Sequence, residues 1–344
     1  MRHCEIAGTG TWLPAATVTF GTHTRYRIAP DESHLDALAT AARRALAAAG
    51  ITAEDVDCLI GASAAGVQPI PCTAALVLEQ LTTGGHAAAF DVNSTCTSFI
   101  TALDVASRYL EAGDYETVLI VSGDVGTRFL NPDQPESFSL FSDAAAAVVL
   151  RRTDRHAGVL ASAQRTWPEH AHDTELRGGL SAHPASTYAT GDPADYLFDM
   201  DGRAALLGMM RKLPDFFDGF FARSGLNVTD CDLVVPHQAS PRHGPHDAPT
   251  RIRRRTVHRR GGDLRKHGVR VGAFRVHSCA RPGPRRPRRH RPALWHGRRS
   301  HRQRPRPASV APRPQRGTGG VVTCREGKSY LAVSGASSSR LTPH

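Results

Sequence analysis

The chain has 344 residues, 40% of them hydrophobic, enough to build one large domain or two ordinary ones and to exclude a wholly disordered protein. Its formal charge of +11 is unevenly placed: residues 1–240 carry 16 Lys and Arg against 29 Asp and Glu, whereas residues 241–344 carry 27 against 3. The body is therefore acidic and the tail strongly basic, so the total cannot be read as a nucleic-acid or membrane signature of the whole chain.

From Met1 to Leu150, short apolar runs closed by Gly, Pro or Asp alternate with segments of 3.6-residue apolar spacing, which predicts layered α/β structure. Strands are expected at His3–Ala7, Cys58–Ala62, Ala87–Val92, Thr117–Ser122 and Ala144–Leu150. Helices are expected at Leu35–Ala49, stopped by Gly50, at Cys72–Leu81 and at Cys96–Glu111. A second series begins near Gly158 with a strand at Val159–Ala163, a helix over Gly202–Ser224 that Pro214 should kink or divide, and a strand at Leu233–Pro236. Beyond about Pro241 the periodicity ends. Arg, Pro, His and Gly dominate, 12 of the 23 prolines fall there, and disorder is expected for 243–344.

The seven cysteines include no C-x-x-C pair, which argues against a zinc or redox motif and for a reduced, cytoplasmic setting; no metal ligand set is expected. The N-terminus lacks the apolar stretch of a signal peptide, and no window approaches the roughly 18 apolar residues of a membrane span.

Two segments could carry chemistry. In F-D-V-N-S-T-C-T-S-F-I-T-A-L (Phe90–Leu103) a buried strand enters a tight turn that places Cys96 at the start of a helix, where free N–H groups and the helix dipole favour a thiolate. A small core cysteine is the other reading. In D-L-V-V-P-H-Q-A-S (Asp232–Ser240) an apolar strand delivers His237 just past its carboxyl end.

Together with G-T-G-T-W-L-P (Gly8–Pro14), L-I-V-S-G-D (Leu119–Asp124) and F-S-D-A-A-A-A-V-V-L (Phe141–Leu150), these segments resemble the β-ketoacyl-acyl-carrier-protein synthase III family of the thiolase superfamily, from Met1 to about Arg242. The resemblance implies a thiolase-like α/β fold of two similar layered halves, 1–150 carrying the cysteine and 151–242 carrying the histidine, with the second half left incomplete by an aberrant C-terminal third. It implies acylation of Cys96 by an acyl thioester, then decarboxylative condensation with a malonyl thioester in fatty acid or polyketide-type metabolism. His237 would stabilise the enolate, and Arg242 would dock an acyl carrier protein. It further implies a homodimer and no permanently bound cofactor, with acyl-CoA or acyl carrier protein as substrate. The tryptophan and arginine that commonly hold coenzyme A have no counterpart, so a carrier-protein donor is equally open.

The F-G-D-G block of the family is F-S-D-A here, which deprives that turn of two glycines. The G-N-T-x-x-A-S turn that supplies the family's asparagine does not follow His237. Read one nucleotide forward, the degenerate codons of Arg265–Gly268 permit Gly-Asn-Thr, and those of Leu294–Arg304 permit a glycine-rich closing loop. An out-of-frame tail starting between about Ser240 and Thr250 accounts for both, and condensation is then expected to be impaired. The alternative is an inactive thiolase-like body whose basic arm binds nucleic acid non-specifically.

Overall fold

The structure is a computed structural model that describes residues 1–21, 23–227, 230–235, 250–251, 321–324 and 329–337. In chain order the elements are β1 (Arg2–Trp12), β2 (Thr17–Phe20), β3 (His23–Tyr26), α1 (His34–Ala49), β4 (Cys58–Gly61), α2 (Thr73–Leu81), β5 (Ala88–Asp91), α3 (Ser98–Ala112), β6 (Thr117–Asp124), α4 (Pro135–Leu140), β7 (Ala144–Arg152), β8 (Gly158–Trp167), β9 (Thr174–Glu175), β10 (Asp199–Met200), α5 (Gly202–Ser224), β11 (Cys231–Val234), β12 (Thr250–Arg251), β13 (Val321–Cys324) and β14 (Ser329–Ser337).

Apolar alternation along the strands supplies both faces of the central sheet. Ile60, Val118, Ile120, Val148 and Leu150 point to one face and meet Phe99, Ile100, Leu103, Ala106 and Leu110 of α3. Leu59, Leu119, Val121, Ala147 and Val149 point to the other, where they meet Leu38, Ala41, Ala42, Ala45 and Leu46 of α1 and Val77 of α2. Each of the larger side chains contributes about 1.5–3 kcal/mol by leaving water. The alanine content of α1 has a steric reason: the helix lies so close to β1 that a Cβ at Gly10 would stand 2.0 Å from the Ala41 carbonyl oxygen. Ser33 caps the start of α1 through the Asp36 amide, and Gly50 ends it in the left-handed region at φ 69°.

The two-half α/β architecture expected from the sequence is present. One ten-stranded sheet has the order β12-β11-β13-β14-β8-β1-β7-β6-β4-β5, so each half contributes five strands and the halves meet where β1 pairs with β8. Counted outward from that junction, the second half repeats the order of the first: β8-β14-β13-β11-β12 against β1-β7-β6-β4-β5. The directions differ. β4 is parallel to both β5 and β6, while β11 is antiparallel to both β12 and β13; β7 is antiparallel to β1, while β14 is parallel to β8.

Two expectations need correction, and the F-S-D-A turn manages without glycine as expected. Pro214 does not divide its helix, since α5 runs from Gly202 to Ser224 in one piece. Its missing N–H removes the bond that would reach the Met210 carbonyl, on a residue that is itself exposed. The tail is not wholly unstructured: β13 and β14 pair with each other, and β14 runs beside β8 from Ser329↔Gly158 to Ser337↔Trp167. Both stretches, V-V-T-C and S-Y-L-A-V-S, carry several β-branched or aromatic residues, whose strand propensity is hidden by the average arginine content of the tail. Finally, Ser142 and Ala144 need no glycine freedom. Among the described residues Thr95 is the one non-glycine with positive φ, and the Ser142 hydroxyl accepts from the Tyr26 amide at 2.6 Å.

Candidate active site

The parallel strands β4, β5 and β6 end side by side, and the loops leaving their carboxyl ends form the candidate site. After β5 the chain turns through Asn93 and Ser94 into a short 3-10 turn, Thr95–Thr97, which runs into α3. Cys96 lies in that turn and is exposed, so the reading of it as a small core residue does not hold.

Hydroxyls and one amide hold the turn. The Thr95 amide donates to Asn93 Oδ1 at 2.9 Å, the Ser94 amide donates to Ser98 Oγ at 3.0 Å, and Thr97 Oγ1 donates to the Ser94 carbonyl at 2.7 Å. Thr95 sits at φ 52°, a conformation that costs an ordinary residue about 1–2 kcal/mol and persists because these contacts enforce it. Asn93 Nδ2 also donates to the Ala64 carbonyl at 3.0 Å, tying the turn to the loop after β4. One residue before the turn's approach, Asp91 accepts the Thr73 and Ala74 amides, both at 2.8 Å, and so caps α2. Gly61 makes room for that carboxylate, since a Cβ there would lie 2.1 Å from Asp91 Oδ1.

The electrostatics differ from the sequence expectation of a favoured thiolate. The protein packed around the turn strips solvation from the sulfur, and the Asp124 carboxylate adds repulsion; together they push the Cys96 thiol up to about 11, against a smaller lowering by its own backbone amide. The residue as a whole is exposed, while desolvation of the sulfur keeps the thiol protonated. Asp124 ends β6 and accepts the Ala64 and Ala65 amides on Oδ1, both at 2.9 Å. Desolvation pushes its own carboxyl up to about 6, and nearby Asp143 adds to the rise. Asp143 is fully buried, accepting the Ile28 amide at 2.8 Å, the Thr127 amide at 3.1 Å and the Thr127 hydroxyl. This pattern makes the F-S-D-A block a structural brace between β3, the segment after β6 and β7.

Of the residues singled out from sequence, Cys96 is the one the structure describes at a site. β11 and Val235, which lead toward the histidine, are in place, but His237 and Arg242 lie outside the described residues. Sequence reasoning missed the role of Asp124 and Asn93. Both stand inside quoted blocks, yet the contacts that matter join residues 29 to 60 positions apart in the chain. A groove of about 310 Å³ lies away from the cysteine, lined by Arg2, Arg108, Leu160, Phe220 and Arg223 among others. Among the described residues no cluster of His, Cys, Asp or Glu could hold a metal ion, and no helix is long and apolar enough to cross a membrane.

An accessible cysteine at the head of the helix that packs against the sheet, within paired five-stranded half-sheets, fits the thiolase-like class of folds. Comparison with known proteins agrees. Residues 90–168, which include Cys96, match the family described as 3-oxoacyl-[acyl-carrier-protein] synthase III. The chain is 30% identical over 263 residues to the β-ketoacyl-[acyl-carrier-protein] synthase III of Alkalilimnicola ehrlichii, covering 70% of this chain and 79% of that one. The enzyme of the same name from Xanthomonas campestris pv. campestris is 29% identical over 261 residues, covering 70% and 78%. A crystal structure of a 3-oxoacyl-(acyl-carrier-protein) synthase III superposes with a TM-score of 0.60 at 23% identity, covering 70% and 79%. The chain belongs to the β-ketoacyl-acyl-carrier-protein synthase III family, whose members are acyl-transferring condensing enzymes.

Proposed function

We propose that this chain takes an acyl group from an acyl thioester onto Cys96, and that its lineage condenses that group with a malonyl thioester. The accessible position of Cys96 in the turn at the head of α3 carries this reading. The sulfur attacks the thioester carbonyl, the tetrahedral adduct collapses, and the departing thiol of coenzyme A or of the carrier protein takes up a proton. A thiol near 11 is ionised to roughly one part in 10⁴ at neutral pH, so attack requires a base at the sulfur. In the family pattern His237 serves the second step, where loss of carbon dioxide from the malonyl thioester leaves an enolate whose oxygen needs a hydrogen-bond donor. One such donor lowers a barrier by about 3–4 kcal/mol. Arg242 is the residue for the acidic carrier protein, the working form is a homodimer in the cytoplasm, and no resident cofactor is called for.

Acylation should outlast condensation in this chain. The sequence after His237 supplies no Gly-Asn-Thr turn, so the enolate has one fewer donor. A thiol-release assay tests the division. Incubation with acyl-CoA is expected to give one stoichiometric burst of free coenzyme A that disappears in Cys96→Ala, followed by little turnover on malonyl thioester. Restoring the forward reading frame beyond Ser240 should bring turnover back. A folded wild-type chain that gives no burst with either acyl-CoA or an acylated carrier protein contradicts the reading.

The charge division favours one additional property. With 27 basic and 3 acidic residues after position 240, the tail should hold polyanions non-specifically, with affinity falling steeply as salt rises. Binding to single-stranded DNA that is insensitive to salt would count against it.

A further inference from the structure

A continuous run of hydrogen bonds joins the end of β6 to the turn that presents Cys96. Asp124 Oδ1 accepts the Ala64 and Ala65 amides. The Ala64 carbonyl accepts from Asn93 Nδ2 at 3.0 Å, and Asn93 Oδ1 accepts the Thr95 amide at 2.9 Å. Thr95, at φ 52°, is the strained residue immediately before the cysteine. A parallel brace runs beside it: the Gly123 amide donates to Ser63 Oγ at 3.1 Å, and Ser98 Oγ reaches the Ser63 carbonyl at 3.2 Å. The loop over residues 63–65 is thus held from below by β6 and itself holds the turn from the side.

We propose that Asp124 is a positioning residue for Cys96: through Ala64 and Asn93 it fixes the strained Thr95 turn, and its carboxylate contributes negative charge near the sulfur. The proposal rests on the reading of Cys96 as the acyl acceptor.

Two roles of one carboxylate can be separated, because the amides need an acceptor oxygen and the sulfur feels a charge. Asn at position 124 keeps an acceptor oxygen and loses the charge; Ala loses both. Among the described residues other charged groups border this region: Asp91, which ends β5 and caps α2 beside the same loop, and a group reached through Asp143. Asp143, before β7, faces Asp124, and Asp143 in turn faces Arg27, in the segment after β3, and His34 of α1, which also lies near Arg128. His34 Nε2 lies 2.9 Å from the Gly123 carbonyl, on the residue before Asp124. Burial holds His34 below its ordinary value and so in the neutral form near pH 7. Asp124 is the carboxylate whose charge acts on the sulfur itself, in addition to the larger effect of desolvation.

The test is the rate at which iodoacetamide labels Cys96, followed by peptide mass spectrometry from about pH 6 to about pH 11, in the wild type, D124N, D124A and N93A, with thermal unfolding to verify that each variant is folded. D124N is expected to label about threefold or more faster than the wild type at about pH 8, its midpoint having moved to lower pH. D124A and N93A are expected to transfer acyl groups from butyryl-CoA at least about tenfold more slowly than D124N. A D124N profile that overlays the wild type, or a folded D124A that transfers acyl groups at the D124N rate, overturns the proposal. Labelling reports on the turn whether or not acylation occurs. A wild-type chain that is alkylated with the expected D124N displacement but never acylated therefore sinks the acyl-transfer reading and leaves the electrostatic role of Asp124 supported.

Discussion

At the scale of single residues, Cys96 joins two properties that seldom coincide, exposure of the residue as a whole and a thiol displaced upward by desolvation and a neighbouring carboxylate. Its turn was legible in the sequence because F-D-V-N-S-T-C combines a buried strand, a polar turn and an amphipathic helix in one window. Its electrostatics were not legible, because Asp124 lies 28 positions downstream and arrives beside the turn only through the parallel pairing of β4 with β5 and β6. The same region sets opposing pH responses. Burial lowers the folded pKa of His34, so below its unfolded value of 6.5 the unfolded chain binds a proton that the folded chain resists, and stability falls as pH drops through that window. Asp124 has the reverse sign. Its folded value near 6 lies above 3.8, so its contribution is greatest below 3.8 and is lost as pH rises through about 6. Urea unfolding at about pH 5 and about pH 7 should therefore show H34Q losing less stability on acidification than the wild type, and D124N losing less on the way up. Identical pH dependence in all three would contradict the assignment.

Elements carry the packing argument. α1 was legible down to its ends, with Gly50 read from the sequence as the stop and found in the left-handed region. Replacing Ser33 or Gly50 by Ala should each cost about 1 kcal/mol in chemical denaturation, and the two losses should add because the caps stand at opposite ends of a 16-residue helix. Gly10→Ala should cost more, about 2–3 kcal/mol, since the new methyl group meets the α1 backbone and not a yielding side chain. An unchanged urea midpoint for that variant would contradict the close approach of α1 to β1. What the sequence hid at this scale is short and irregular. The β2–β3 hairpin and α4 escape periodicity because each offers too few residues for a pattern, and the hairpin is identified instead by its pairing from Thr17↔Tyr26 to Phe20↔His23.

The whole molecule is two five-stranded halves with one strand order and different strand directions. Next to β8 and β11 lie β14 and β13, and each, taken relative to the strand that begins its half, runs opposite to the strand that holds its position in the first half, β7 and β6. Composition obscured those segments, since the arginines around them dominate any average over the tail. Hydrogen exchange should show slowed amides over Ser329–Ser337, which pair along the length of β8; exchange at the rate of a free peptide would remove β14 from the sheet. The central claim, that this chain's chemistry begins at one sulfur, is tested most directly by mass spectrometry of the folded protein after exposure to an acyl thioester. The account predicts a single acyl adduct that maps to Cys96 and is absent from Cys96→Ala. An adduct on any other cysteine, or none on a folded chain, would contradict it.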